Sequence, residues 1–331
     1  MTELSKRIQL PWGIAVLFFL MLFPVINDSR SMLILFTQIF IFAIFAMSFD
    51  ILLGYTGIVS FGHCMFFGIG SYSIALMLDR YEATLMNFFI GVCVAVALAA
   101  LVSYIIGMLS LRLKSHFYAM LTLAVSQLFL VLAEKWRTLT HGSDGFTFRV
   151  PDIFRDRFSF YYISLISLVV LFVLLRLFTA SSLGKVLKAI SQNEQRAEAL
   201  GFKILHYKVI ASIVAGTVAA FSGALYVVTL RFVNTSVFSI ETTLDALLMT
   251  MIGGLGTLVG AIAGAGVVEF IQHFLSELAA DYPIFERWTI FLGLLYIIVL
   301  LAFPSGLAGG VKRITAGKRK KEKAGKLKQA A

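Results

Sequence analysis

Long apolar runs separated by short polar stretches dominate the chain, and the longest of them, Met32 to Leu53 and Leu85 to Leu109, are apolar on every face. A helix that is hydrophobic all round is buried in protein or lipid, and one bilayer crossing takes about 20 such residues. The runs predict spans near Pro11 to Ile26, Met32 to Leu53, Gly62 to Leu78, Leu85 to Leu109, His116 to Ala133, Ser159 to Phe178, His206 to Leu230 and Ile284 to Phe303. An outer-membrane barrel would need alternating segments of about ten residues, so only helices can satisfy the backbone of these continuous runs in lipid. The pattern predicts an all-α polytopic integral membrane protein.

One run does not fit a simple crossing. Leu244 to Ser276 would extend about 50 Å as a single helix, against a hydrocarbon core of about 30 Å. Charge suggests how it is divided. Lys6 with Arg7, Arg112 with Lys114, the connector from Arg176 to Lys208 and the tail are basic, and Lys312 to Lys328 alone carries nine Lys and Arg against Glu322. These stretches are expected on the cytoplasmic side. Asp28 with Arg30, Asp79 with Arg80 and Glu82, Glu241 with Asp245, and Glu277 with Asp281, Glu286 and Arg287 lack that bias and are expected outside. A segment lying between two external loops must enter and return, so Leu244 to Ser276 should turn at Gly253, Gly254, Gly256 and Gly260. About ten membrane segments follow, with both termini cytoplasmic. Residues 1–310 form the membrane domain and 311–331 a basic cytoplasmic tail near anionic lipid.

Composition closes several other routes. A chain of 331 residues that is 59% hydrophobic and 14% charged, with mean hydropathy +0.91, has no room for a sizeable soluble domain. Its net charge of +10 sits mostly in the tail, which argues against nucleic acid as a partner. Cys64 and Cys93 both lie in apolar stretches and offer neither a disulfide framework nor a zinc cluster. Lys6 and Arg7 before Leu10 to Ile26 imitate a signal peptide, but Val25, Ile26 and Asn27 lack a small-x-small cleavage site, so this reads as an uncleaved first span. Two polar excursions stand out. Glu134 to Arg157 is external, broken by Gly142, Gly145 and Pro151, and is expected to pack over the outer mouth. Thr179 to Leu205 is internal, with helical apolar spacing at Leu183, Val186, Leu187, Ile190, Ala197 and Leu200 and a helix end at Gly201.

Reactive motifs are absent where a pump or membrane enzyme would need them. Gly184-Lys185, Gly317-Lys318 and Gly325-Lys326 are followed by Val, Arg and Leu, so no P-loop stands ready for ATP, and any ATPase belongs to another chain. No HExxH, GxSxG or Cys/His ligand set appears. Asp50 reads first as an interfacial or helix-contact carboxylate, and Glu269 with His273 as either an interhelical hydrogen bond or part of a path. Glycine is the positive signal. Gly54, Gly57 and Gly62 interrupt one membrane segment and Gly253, Gly254, Gly256 and Gly260 another, and irregular backbone at depth is tolerated only against protein or a water-filled path. Close helix packing explains either break alone, but their pairing points to a translocation path through Gly54, Gly57, Ser60, His63, Gly253, Gly254, Gly256 and Thr257.

Several runs in order resemble one family. LLGYTGIVSFGHCMFFGIGSY (Leu52 to Tyr72), HFYAMLTLA (His116 to Ala124), THGSDGF (Thr140 to Phe146), KAISQNEQRAEALGF (Lys188 to Phe202), GGLGTLVGAIAGA and FPSGLAGG (Phe303 to Gly310) are similar to the permease subunits of branched-chain amino acid ABC importers, in particular the LivM type. The resemblance covers about Met32 to Gly309. It implies the ABC importer permease fold and a place in the bacterial inner membrane. It also implies a second, LivH-type permease, two cytoplasmic ATPase subunits that hold ATP and magnesium, and an extracytoplasmic substrate-binding protein. No cofactor is expected on this chain. Members of this permease type handle branched-chain amino acids, urea and short amides, or aromatic acids, so the substrate stays open among them; an ion-coupled secondary carrier is the alternative. In this reading residues 179–205 are the ATPase-coupling connector. Its candidate contacts are Val186, Leu187, Ile190, Ala197 and Gly201, with Glu194 and Glu198 one turn apart and open to basic groups of the partner.

Overall fold

The computed structural model describes residues 17–26, 29–110, 115–281, and positions 290, 293, 294 and 297. The expected span Ile284 to Phe303, most of the N-terminal segment and the basic tail lie outside the described residues or touch them only at isolated positions. The helices, in chain order, are α1 (Leu17–Ile26), α2 (Arg30–Thr56), α3 (Cys64–Arg80), α4 (Leu85–Ser110), α5 (Ser115–Lys135), α6 (Arg137–Thr140), α7 (Asp152–Arg155), α8 (Arg157–Ala180), α9 (Ser182–Gln192), α10 (Glu194–Ala199), α11 (Ile204–Leu230), α12 (Ile240–Gly253) and α13 (Leu258–Asp281).

Six of these, α2, α4, α5, α8, α11 and α13, are long and apolar enough to cross a bilayer. The polytopic all-α reading therefore holds, and most observed helix ends lie within a few residues of those read from the apolar runs. The described residues leave the count of ten segments open. Helix α12, with 14 residues, is too short to be a complete span at about 1.5 Å rise per residue, and α3, with 17, is at the lower limit. Each of them adjoins one of the glycine breaks.

Burial orders the bundle. The apolar stretches of α2 and α11 are 67% and 61% covered by the rest of the chain, whereas those of α4, α5 and α8 are 22% to 28% covered. Thus α2 and α11 form the centre, and the other three present apolar faces outward. Several polar side chains at the centre find partners inside the bundle, as lipid favours. Ser222 donates from α11 to the Ile41 carbonyl of α2, Ser103 of α4 lies 2.8 Å from Ser212 of α11, and Ser71 of α3 donates to the Gly223 carbonyl of α11.

The α3–α11 crossing is closed by small residues. A Cβ placed on Gly70 would stand 1.8 Å from the Ala220 carbonyl oxygen, and one on Gly223 would stand 2.0 Å from that of Phe67. The backbones touch there, as small residues permit in membrane bundles.

The excursion from Glu134 to Arg157 contains α6, a 3₁₀ turn at Gly142–Asp144, and β1 (Phe146–Thr147), which pairs antiparallel with β2 (Phe232–Val233) just past α11. Thr147 faces Phe232 and Phe146 faces Val233, so the loop is pinned across the end of α11. This two-residue ladder was not legible in the sequence, because so short a pair carries no period.

Replacing Gly70 with Leu should separate α3 from α11 and cost about 1–3 kcal/mol or more through overpacking. Thermal unfolding of the purified chain in detergent checks this, and an unchanged midpoint would mean that the two backbones are not in contact.

Candidate translocation and coupling site

The two glycine breaks meet each other. Helix α2 does not break at Gly54, as the sequence suggested, but runs on to Thr56 and stops at Gly57, whose φ of 74° lies in the left-handed region that glycine adopts freely. The chain then passes without helix from Gly57 to His63 before α3 begins. The second break is the turn from Gly254 to Thr257 between α12 and α13, with φ of 109° at Gly254 and 70° at Gly256. This turn rests on α2. A Cβ on Gly54 would lie 2.2 Å from the Gly256 nitrogen, and the Gly256 amide donates to Asp50 Oδ1 at 2.7 Å. Asp50 is wholly buried, one helical turn before Gly54. It is therefore a contact group, not a snorkelling one, and what it contacts is the backbone of the opposite break. Its Oδ2 has no hydrogen-bond partner among the described residues.

The remaining path candidates fall into separate surroundings. Gly253 serves packing within the α12–α13 hairpin, since its Cβ would stand 1.9 Å from the Gly260 carbonyl oxygen. Thr257 donates to the Gly254 carbonyl and closes the turn. His63 is fully buried, 2.8 Å from Ser48 Oγ and surrounded by the rings of Phe45, Phe49 and Phe66. Ser60 is buried as well, with no partner for its hydroxyl among the described residues. The start of α3 reaches the hairpin side, where the Cys64 amide donates to Thr243 Oγ1 and Cys64 Sγ lies 3.3 Å from the Phe238 carbonyl. The two short helices thus meet at their ends. Gly57 faces elsewhere, with Ser191 of α9 about 3.5 Å from where its Cβ would be.

This arrangement spans the stretch that identifies the chain. Residues 31–301 match the family described as the permease component of the branched-chain amino acid transport system. The chain belongs to that family. It is 25% identical over 309 residues to the high-affinity branched-chain amino acid transport system permease protein LivM of Escherichia coli (strain K12), covering 84% of this chain and 70% of that protein. The corresponding Salmonella typhimurium protein is 24% identical with the same coverage. A probable branched-chain amino acid transport permease protein LivM from Methanocaldococcus jannaschii is 24% identical over 339 residues, 89% of this chain and 97% of that one. The protein is a multi-pass membrane permease subunit of an ABC importer, similar to LivM.

In the permease the connector is two helices, not one. Asn193 ends α9 and caps α10, its Oδ1 accepting from the Arg196 amide. Gly201, at φ 88°, ends the pair as expected, its amide donating to the Glu198 carbonyl. The apolar stripe is not an outward docking face. Leu187, Ile190 and Ala197 are buried against this chain's own helices and Val186 is half-buried, because the connector lies on the ends of α2, α8 and α11. Glu194 forms an ion pair with the buried ammonium of Lys208 on α11 while its own side chain stays half-exposed. The outward side of the connector carries Lys188, Gln195, Glu198 and Leu200, the last of them 72% exposed.

A cavity of about 170 Å³ separates connector from membrane helices, lined among others by Gly57, Ile58, Tyr118, Ser191, Asn193 and Lys208. Sequence reading passed over Lys208, Tyr118 and Ser191. Lys208 was counted only as a cytoplasmic charge, although a Lys entering a helix four residues after its start was the available signal. Glu269 and His273 do not form one unit. His273 lies 3.3 Å from Ser31 of α2 and 3.2 Å from Glu277, whereas Glu269 is buried near Asp245 across the hairpin.

Removing the acceptor at residue 50 leaves the Gly256 amide without the partner it has in the structure. Asp50→Ala should therefore cost about 1–3 kcal/mol, and Asp50→Asn, which keeps an oxygen there, clearly less. Thermal unfolding of both variants in detergent measures the difference, and equal losses would show that the hydrogen bond contributes nothing.

Proposed function

We propose that this permease imports branched-chain amino acids across the bacterial inner membrane, driven by two cytoplasmic ATPase subunits that bind ATP and magnesium. A second, LivH-type permease completes the pathway, and an extracytoplasmic binding protein delivers the substrate. This chain binds no cofactor. Both termini and residues 179–205 face the cytoplasm, and Glu134 to Arg157 faces outside. The substrate assignment is supported by the names of the relatives, all of which are branched-chain amino acid permeases.

The coupling route is supported chiefly by one observation, the seat of the connector. Helix α9 abuts the left-handed glycine that ends α2, and α10 is tied to α11 through Glu194 and Lys208. An ATPase that moves α9 and α10 therefore acts on the end of α2, and through Gly54 and Asp50 on the α12–α13 turn. The path candidates Gly54, Gly57, Gly254 and Gly256 lie along this mechanical route. Partner contact falls on the outward residues Glu198, Leu200 and Gly201, while Leu187, Ile190 and Ala197 seat the connector on the bundle.

A secondary carrier would need paired buried carboxylates, and the nearest candidates are the buried Glu269 and the half-buried Asp245. Uptake separates the readings. Proteoliposomes holding the full complex should take up leucine, but not urea or benzoate, with ATP inside the compartment of the ATPases and no ion gradient. Uptake that needs the gradient and ignores ATP would favour the carrier. Leu200→Asp should leave the permease folded and lower ATPase co-purification about fivefold or more, as loss of an interface anchor does. Leu187→Asp should instead reduce folded permease. Normal co-purification and uptake in Leu200→Asp would remove the connector tip from the interface. A cysteine at Ser143 in a Cys64→Ser/Cys93→Ser background should react with an impermeant reagent from outside, and labelling only from inside would reverse the topology.

A further inference from the structure

Three arginines that the transport reading leaves unused converge on one cavity. Arg30 begins α2, Arg157 begins α8 and Arg231 follows the last residue of α11, and together they line a space of about 250 Å³. Each stands at the end of a helix that can cross the membrane, so the cavity lies where the apolar layer gives way to the polar one. Its lower wall is apolar, built by Leu33, Phe154, Phe160 and Leu230.

Among the described residues, the cationic groups are not neutralised from within. The ion pairs among the described residues are Arg155 with Asp152, Lys208 with Glu194 and His273 with Glu277, so none of the three arginines has a carboxylate partner there. Asp156, next to Arg157 in sequence, is engaged at its Oδ2 by the Ser159 amide and hydroxyl. The guanidinium of Arg231 is positioned by one bond to the Arg155 carbonyl, which leaves its other donors free. Arg231 also has a φ of 57°, an uncommon conformation for a residue other than glycine. A strained position that carries a long cationic side chain is what a binding site retains. The N-terminal ends of α2 and α8 add partial charge of the same sign.

We propose that this cavity holds the phosphate headgroup of an anionic phospholipid from the leaflet in which α2 begins. Guanidinium forks match the geometry of phosphate oxygens, and the apolar wall accepts the start of an acyl chain. Among the described residues no carboxylate lines the cavity, so a ligand bearing an ammonium group would place a cation beside three others without a counter-charge from them. That disfavours both a choline lipid and a free amino acid, and separates this site from the transport pathway.

Native mass spectrometry of the purified full-length permease in neutral detergent tests the assignment, with phosphatidylglycerol, phosphatidylcholine and inorganic phosphate as probes. Phosphatidylglycerol should bind in preference to phosphatidylcholine. Arg30→Gln and Arg157→Gln should each weaken that binding about fivefold, the surface-charge contribution of one arginine. Arg80→Gln, the same charge change at the end of α3, should leave it unaltered. Arg30 is exposed, so its substitution can be read without loss of packing even if Arg157→Gln fails to fold. Wild-type binding of phosphatidylglycerol by Arg30→Gln, or equal binding of the two lipids, would overturn the proposal. Displacement of the lipid by inorganic phosphate at matched concentration would show a free-anion site and overturn it as well.

Discussion

A turn placed inside a helical membrane bundle must find acceptors for its own amides, and here Asp50 supplies one. The carboxylate projects from α2, is shielded from solvent, and accepts from the Gly256 amide across the closest approach of two backbones. The turn is only half-buried, yet the acceptor for this amide comes from the protein itself. Glycine at 54 is required for the same reason, because any Cβ there would occupy the place of Asp50 Oδ1 and the Gly256 nitrogen. The carboxylate, the glycine in the helix and the glycine in the turn form one contact.

From that contact the rest of the centre follows. With the turn fixed on α2, α12 can be short and α13 can return beside it, the hairpin closing through Gly253, Gly260 and Gly264. The non-helical stretch between α2 and α3 is covered by α5, whose Thr122 carbonyl meets Gly62 so closely that no side chain fits. On the other side of the joint, α9 sits against Gly57, and the Glu194–Lys208 ion pair holds α10 to α11. Lys208 is buried and Glu194 half-exposed, so losing Glu194 alone would leave a buried ammonium unpaired, which makes this pair suited to fixing the register of the connector on the bundle.

The sequence disclosed the helices well and the contacts between them poorly, for identifiable reasons. Apolar runs bounded by Gly, Pro and charged residues located α2, α4, α5, α8 and α11, and the length of Leu244 to Ser276 forced a turn that the structure places at Gly254 to Thr257. Which glycine bends the chain was not legible, since Gly54 and Gly57 have the same local composition and only tertiary contact distinguishes a packing glycine from a terminating one. The connector shows a related limit. Its apolar period was real, but a period reveals only that a face is buried, not whether this chain or another buries it. Asn193, a strong cap, was the overlooked sign that the connector is two helices. Asp50 was legible as a contact group, while its partner, 206 positions away, was not.

Amide hydrogen exchange over residues 253–258 tests the central contact most directly, measured in the full-length permease with and without Asp50→Ala. The account predicts that the Gly256 amide is as protected as the flanking helices in the wild type. It further predicts that protection in this segment falls selectively in the variant, with α2 and α11 unchanged. A turn that exchanges freely in the wild type, or one whose protection is indifferent to residue 50, would contradict the claim that the Asp50 carboxylate fixes it.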